Sequence, residues 1–133
     1  MRKRMKKKKH IMRNRTSSRQ KTSRQSEPRP VPPYHARVKV VGVGGGGGNA
    51  ISRLSDTIAI RSIDFIAINT DAQDLDYCNA RRKIYIGKNL TRGLGTGMNP
   101  DIGRQAAEEN RSEITDALQG ADLVFLTIGL GGG

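Results

Sequence analysis

The residues in this chain best suited to chemistry lie in three glycine-rich stretches. In the first, residues 38–50, an apolar run breaks into five consecutive glycines, Gly44, Gly45, Gly46, Gly47 and Gly48, followed by Asn49 and a helical pattern. Glycine tolerates φ > 0 and lets the backbone approach a bulky ligand, while successive N–H groups turned into one concavity bind anions. Asn49 is expected to cap the next helix, whose apolar positions Ile51, Leu54 and Ile58 fall at i, i+3 and i+7. Phosphate suits such a place, because a helix N-terminus offers unpaired N–H groups and about half a positive charge.

The second stretch, residues 91–100, carries Gly95, Thr96 and Gly97 into a clear helix start: Asn99 at the cap, Pro100 at the first helical position and Asp101 in the first turn. The third follows a strongly apolar run and contains Gly131, Gly132 and Gly133. Between the first two lies Asn69-Thr70-Asp71, at the end of another apolar run. Asp71 has two readings, an acid that takes a ribose hydroxyl of a dinucleotide or a cap for the next short helix. Gly42, Gly44 and Gly47 also satisfy the dinucleotide fingerprint, although a glycine run satisfies many patterns. A Walker A loop is excluded, since Gly48-Asn49-Ala50 stands where Gly-Lys-Ser/Thr is required. Neither glycine run, 42–48 or 93–97, contains Lys or Arg, so Mg²⁺ is the expected counter-charge for a polyphosphate.

The elements that must position these residues follow from periodicity. Residues 38–43, 63–68 and 122–128 are β-branched or apolar runs long enough for buried strands, and 84–86 is a shorter candidate. A single helix is expected from Pro100 to Leu118, with Ile102, Ala106, Ile114, Ala117 and Leu118 inward and Gly120 as its stop. Residues 72–83 suggest a short helix and a basic turn, Arg81-Arg82-Lys83. Strand, helix, strand implies a right-handed crossover and parallel pairing, which brings the strands' carboxyl ends and all three glycine stretches to one edge. The expected class is α/β, a Rossmann-like parallel sheet with flanking helices over residues 38–133. Its last strand should leave one face and one edge of the sheet open.

The formal net charge of +12 is concentrated at one end. Residues 1–37 hold 14 Lys or Arg and one acid, Glu27, whereas residues 38–133 hold 10 basic and 11 acidic residues. The basic segment is too polar to repay the entropy of folding and reads as a disordered arm, ending in a stiff spacer at Pro28, Pro30, Pro32 and Pro33. It has no apolar core of a secretory signal, and its Arg and Ser content lacks the amphipathic face of a transit peptide. Non-specific contact with nucleic acid or anionic lipid is the partner it suggests. Cys78 is the one cysteine, so no disulfide or cysteine metal cluster is expected, and His10 and His35 have no ligand-like neighbours.

In combination, residues 42–50, 69–73, 91–100 and 120–125 resemble the tubulin/FtsZ family of cell-division GTPases. The resemblance implies that Gly44–Asn49 meet the phosphates of GTP or GDP, that Asn69–Asp71 lie on the phosphate and ribose side, and that the loop around Gly95, Thr96 and Gly97 senses the γ-phosphate, with Asn99 also at the nucleotide. Gly131–Gly133 would open the family's signature loop, at which residues 38–133 stop as an expected partial domain. It also implies guanine specificity, Mg²⁺ bound with the nucleotide, head-to-tail filaments at the mid-cell division site in the cytoplasm, and contacts with other division proteins through regions beyond Gly133. Catalytic acids would come from a second domain of the neighbouring subunit, leaving none in this chain and leaving the chain alone inactive. The family commonly has Gly-Ala-Gly-Ala-Asn-Pro where this chain has Gly95-Thr-Gly-Met-Asn-Pro100. Two other readings are an NAD-dependent oxidoreductase built on the first stretch and Asp71, and a nucleic-acid-binding module acting through the arm.

Overall fold

The computed structural model describes residues 35–58 and 62–131. The arm expected over residues 1–37 therefore lies almost wholly outside the described residues, as do Gly132 and Gly133. Four parallel strands form one sheet in the order β3-β2-β1-β4: β1 Val38–Val43, β2 Ile63–Asn69, β3 Arg82–Tyr85 and β4 Leu123–Ile128. This is the parallel α/β class that the alternation of apolar runs and helices predicts. Arg82 and Lys83, read as part of a turn, belong to β3, where Lys83 donates to the Asp76 carbonyl at 2.8 Å.

Alternation along β2 builds two cores, one on each face. Ile66 and Ile68 join Val41, Ile84, Ile86, Ala106 and Ala117 beneath α4 (Pro100–Glu109) and α5 (Arg111–Leu118). Phe65 and Ala67 join Ile51, Leu75 and Cys78 beneath α1 (Gly44–Thr57) and α2 (Ala72–Tyr77). A single turn of helix, α3 (Lys88–Thr91), follows β3.

Two expectations about the helices are overturned. The five glycines are not a loop before a helix, because α1 begins at Gly44 and Asn49 lies inside it with no capping role. Among the five, only Gly44 takes a positive φ, 71°. The physical reason is close packing: a Cβ on Gly47 would stand 2.6 Å from the Thr127 carbonyl oxygen of β4 and 2.8 Å from the Gly42 carbonyl carbon of β1. Glycine here lets a helix press its backbone against two strands.

The single helix expected over 100–118 is two helices meeting at Asn110. The Asn110 side-chain oxygen accepts a hydrogen bond from the Gly87 amide at 2.9 Å, and its backbone leaves the helical region at φ −104°, ψ 19°. Periodicity continues through the break, since Ala106 and Ala117 both reach the same core. Lys39 secures the far end of α5 by donating to the carbonyls of Ala117 at 2.7 Å and Gln119 at 2.9 Å.

β4 leaves apolar side chains exposed on both faces rather than one, although α1 meets its carboxyl end at Thr127. Leu123, Val124, Phe125, Leu126 and Ile128 are between 41% and 62% exposed, and β4 has β1 on one side only.

Candidate functional site

The carboxyl ends of β1, β2 and β4 open into a cleft of about 870 Å³, within the usual range for small-molecule sites. Gly44, Gly45 and Gly46 form one wall, Asn69, Thr70 and Asp71 the floor, and Gly95, Thr96 and Gly97 with the first turns of α4 the other wall. Gly129, Leu130 and Gly131 reach it from β4. Parallel pairing produces this convergence, because Val43, Asn69 and Ile128 end their strands at one edge.

Hydrogen bonds hold the segments at 69–72 and 91–93 against each other and against the end of β3. The Thr91 hydroxyl, buried, donates to the Thr70 carbonyl at 3.1 Å, and the Ala72 amide donates to the Gly93 carbonyl at 3.2 Å. The Ile86 amide donates to the Asn69 carbonyl at 3.0 Å, while the Asn69 side-chain oxygen accepts from the Asp71 amide at 3.1 Å. Asp71 caps α2, accepting from the amides of Gln73 at 2.9 Å and Asp74 at 3.0 Å. Of its two readings, the cap is thus occupied. Asn99 caps α4, accepting from the amides of Asp101 at 3.0 Å and Ile102 at 3.4 Å, and does not line the cleft.

The start of α1 is different. Val43 provides no side-chain bond and the first turn holds no acid, so the N–H groups of its first four residues have no partner within the helix. Those amides and the positive end of the helix dipole make the wall at Gly44–Gly46 a place for negative charge. Gly47 is spent on strand packing, and Gly48 backs onto Cys78, whose Sγ lies 3.3 Å from the Gly48 carbonyl oxygen. Gly48 and Asn49 instead line a neighbouring recess of about 70 Å³ together with Ser52, Tyr77 and Cys78.

Sequence reasoning missed Asp74 and Arg104. The Asp74 carboxylate lies so close to Gly45 that a Cβ there would be 2.9 Å from its Oδ2. Arg104 lines the opposite wall together with Pro100, Gly103 and Ala107. That face was available in the sequence, since 100, 103, 104 and 107 follow the i, i+3, i+4, i+7 spacing from a recognised helix start. Among the described residues no group of three or more His, Cys, Asp or Glu could hold a metal ion. A divalent ion here would therefore take its ligands chiefly from phosphate oxygens and water, with Asp71 and Asp74 the nearest carboxylates lining the cleft.

A parallel sheet whose strand ends meet an unclaimed helix N-terminus defines the nucleotide-binding class of α/β proteins. Residues 37–133 match the Tubulin/FtsZ family, GTPase domain, and the chain belongs to that family. An FtsZ dimer from M. jannaschii is similar at 53% identity with a TM-score of 0.71, over 75% of this chain and 29% of that one. A substituted FtsZ from the same organism matches at 54% identity and a TM-score of 0.70, over 74% and 29% of the two chains. CetZ2 from Haloferax volcanii, in a GTPgS-bound protofilament, matches at 29% identity and a TM-score of 0.65, over 73% and 31%. The chain thus spans less than a third of the length of each of these relatives. No helix among the described residues is long and apolar enough to cross a membrane.

Proposed function

We propose that this chain is the phosphate-binding part of a GTP-binding and GTP-hydrolysing protein of the cell-division type, which assembles head to tail into filaments. The observation that carries this reading is the cleft itself, where three glycine-rich segments surround the uncapped start of α1. The backbone amides of Gly44–Gly46 hold phosphate, Asn69–Asp71 stand beside the phosphate and ribose, and Gly95–Gly97 and Gly131 enclose the outer end. In this reading positioning and electrostatic stabilisation carry most of the phosphoryl transfer. Mg²⁺ bound with the nucleotide would neutralise part of its charge. The attacking water is activated by acids of a neighbouring subunit, and the described cleft holds the receiving half of that composite site. The similarity to an FtsZ dimer and to a protofilament protein supports self-association as the route by which the halves meet.

An oxidoreductase role for the same cleft leaves the segments at 95–97 and 131 unused and needs Asp71, whose carboxylate is already bonded to two amides. Thermal denaturation with added GTP, GDP or NAD separates the readings. Guanine nucleotide at about 100 times its dissociation constant should stabilise the fold by about 2.7 kcal/mol. Equal protection by NAD, or protection by neither nucleotide, would reject the proposal.

A further inference from the structure

We propose that Arg104 reads the terminal phosphate of the bound nucleotide, so that a side chain on α4 separates nucleoside triphosphate from diphosphate. The inference rests on the guanine-nucleotide reading above and adds to it a residue that lies in none of the glycine segments.

Three observations converge on this arginine. Among the described residues lining the cleft, Asp71 and Asp74 are the acids and Arg104 is the one cation. A polyphosphate placed among them meets one positive side chain, and a guanidinium presents a planar fork that matches phosphate oxygens. Next, Arg104 has no hydrogen-bond or ion-pair partner among the described residues, so its donors are unspent.

Lastly, the rotation of α4 about its axis is fixed. Ala106 is 0% exposed in the core shared with Ile84 and Ile86, and Gly87 approaches it so closely that a Cβ there would stand 2.5 Å from the Ala106 Cβ. With Ala106 locked inward, Pro100, Gly103, Arg104 and Ala107 are held along the cleft.

The layering of the fold sets Arg104 across the cleft from the amides of α1. α1 packs on one face of the sheet and α4 on the other, and the cleft crosses the strand ends between them. Phosphates seated on the amides of Gly44–Gly46 have Arg104 on the far side, and each added phosphoryl group extends the ligand toward it. A diphosphate anchored at α1 is then expected to end short of the guanidinium. A triphosphate gains a charge-assisted contact.

The test is the GTP and GDP affinity of the full chain, measured for the unmodified protein and for Arg104→Gln and Arg104→Lys, with circular dichroism melts to confirm folding. Arg104→Gln should weaken GTP by about tenfold and leave GDP within about twofold, the scale of one charge-assisted hydrogen bond. Arg104→Lys should recover part of the GTP affinity. If the unmodified protein prefers GTP and Arg104→Gln preserves that preference, or if the variant weakens both nucleotides equally, the role of Arg104 is overturned while the nucleotide reading stands. If the unmodified protein binds neither nucleotide, both fall together. Should Arg104→Gln melt early, the same comparison of GTP with GDP in Arg104→Lys decides, because it keeps the charge and the stem but not the fork.

Discussion

Two helices begin at the same cleft, and they begin in opposite ways. α4 satisfies its own first turn: Asn99 accepts from two amides, Pro100 removes one donor and Asp101 answers the helix dipole. α1 satisfies nothing, with Val43 before it and glycine throughout its first turn. α2, the third helix at the cleft's floor, sides with α4 through Asp71. Of the three helices that border the cleft, α1 is thus the one whose first amides no side chain caps, and in the proposed reading those amides serve the ligand. The glycines of α1 make this possible in unequal ways, and substitutions can separate them.

The largest effect is expected where glycine serves packing. Gly47→Val forces a side chain against the Thr127 and Gly42 backbones, and neither strand can yield without breaking its ladder; a loss of about 3 kcal/mol should appear as a lower urea midpoint. An unchanged midpoint would mean that α1 does not press on the sheet as described. Next come the caps. Asn99→Ala should lower stability by about 1 kcal/mol, and Asp71→Ala by a similar amount, both read from the same urea curves.

The sharpest comparison is Val43→Thr. A hydroxyl at the capping position of α1 would accept from the amides the native chain leaves open, so stability should hold within about 0.5 kcal/mol while phosphate affinity drops several-fold. Binding measured calorimetrically at unchanged affinity would show that those amides are not what the ligand uses. The smallest effect belongs to Gly48→Ala, whose new methyl meets Cys78 at ordinary contact distances of 3.7 and 3.9 Å. Exchanging Gly for Ala inside a helix should raise stability by up to about 1 kcal/mol in the same denaturation.

Much of this arrangement was legible in the residues. β1, β2 and β4 announce themselves as apolar β-branched runs, and Asn99-Pro100-Asp101 marks the start of α4 to the residue. Strand order and parallel pairing then force 44–46, 69–71, 95–97 and 131 to one edge, where the cleft is found. What escaped has a common cause, since it depends on approach distances rather than on local propensity. Nothing within residues 44–48 says that β4 will lie against Gly47, so a glycine run that is helical reads as a turn. Asn110 looks like an unremarkable polar position until the Gly87 amide takes its side chain. Arg104 is one of many surface charges until the burial of Ala106 fixes which way α4 faces.

Strand order has a consequence for how the molecule forms. Among the described strands β1 comes first along the chain, and it lies inside the sheet, between β2 and β4. Its pairing with β2 closes a short loop, Val38 to Ile63, whereas its other partner begins at Leu123. Until β4 emerges, the hydrogen-bonding edge of β1 stays open, and closing it means ordering a long intervening chain, the slow kind of contact in folding. Refolding should therefore pass through a phase in which β1 and β2 are protected from hydrogen exchange on their shared side before the β1–β4 amides are. The glycines of α1 join that late event too, because the helix that presents them rests on both neighbours of the same strand end. Assembly of the cleft is in this way tied to the pairing of β4 with β1.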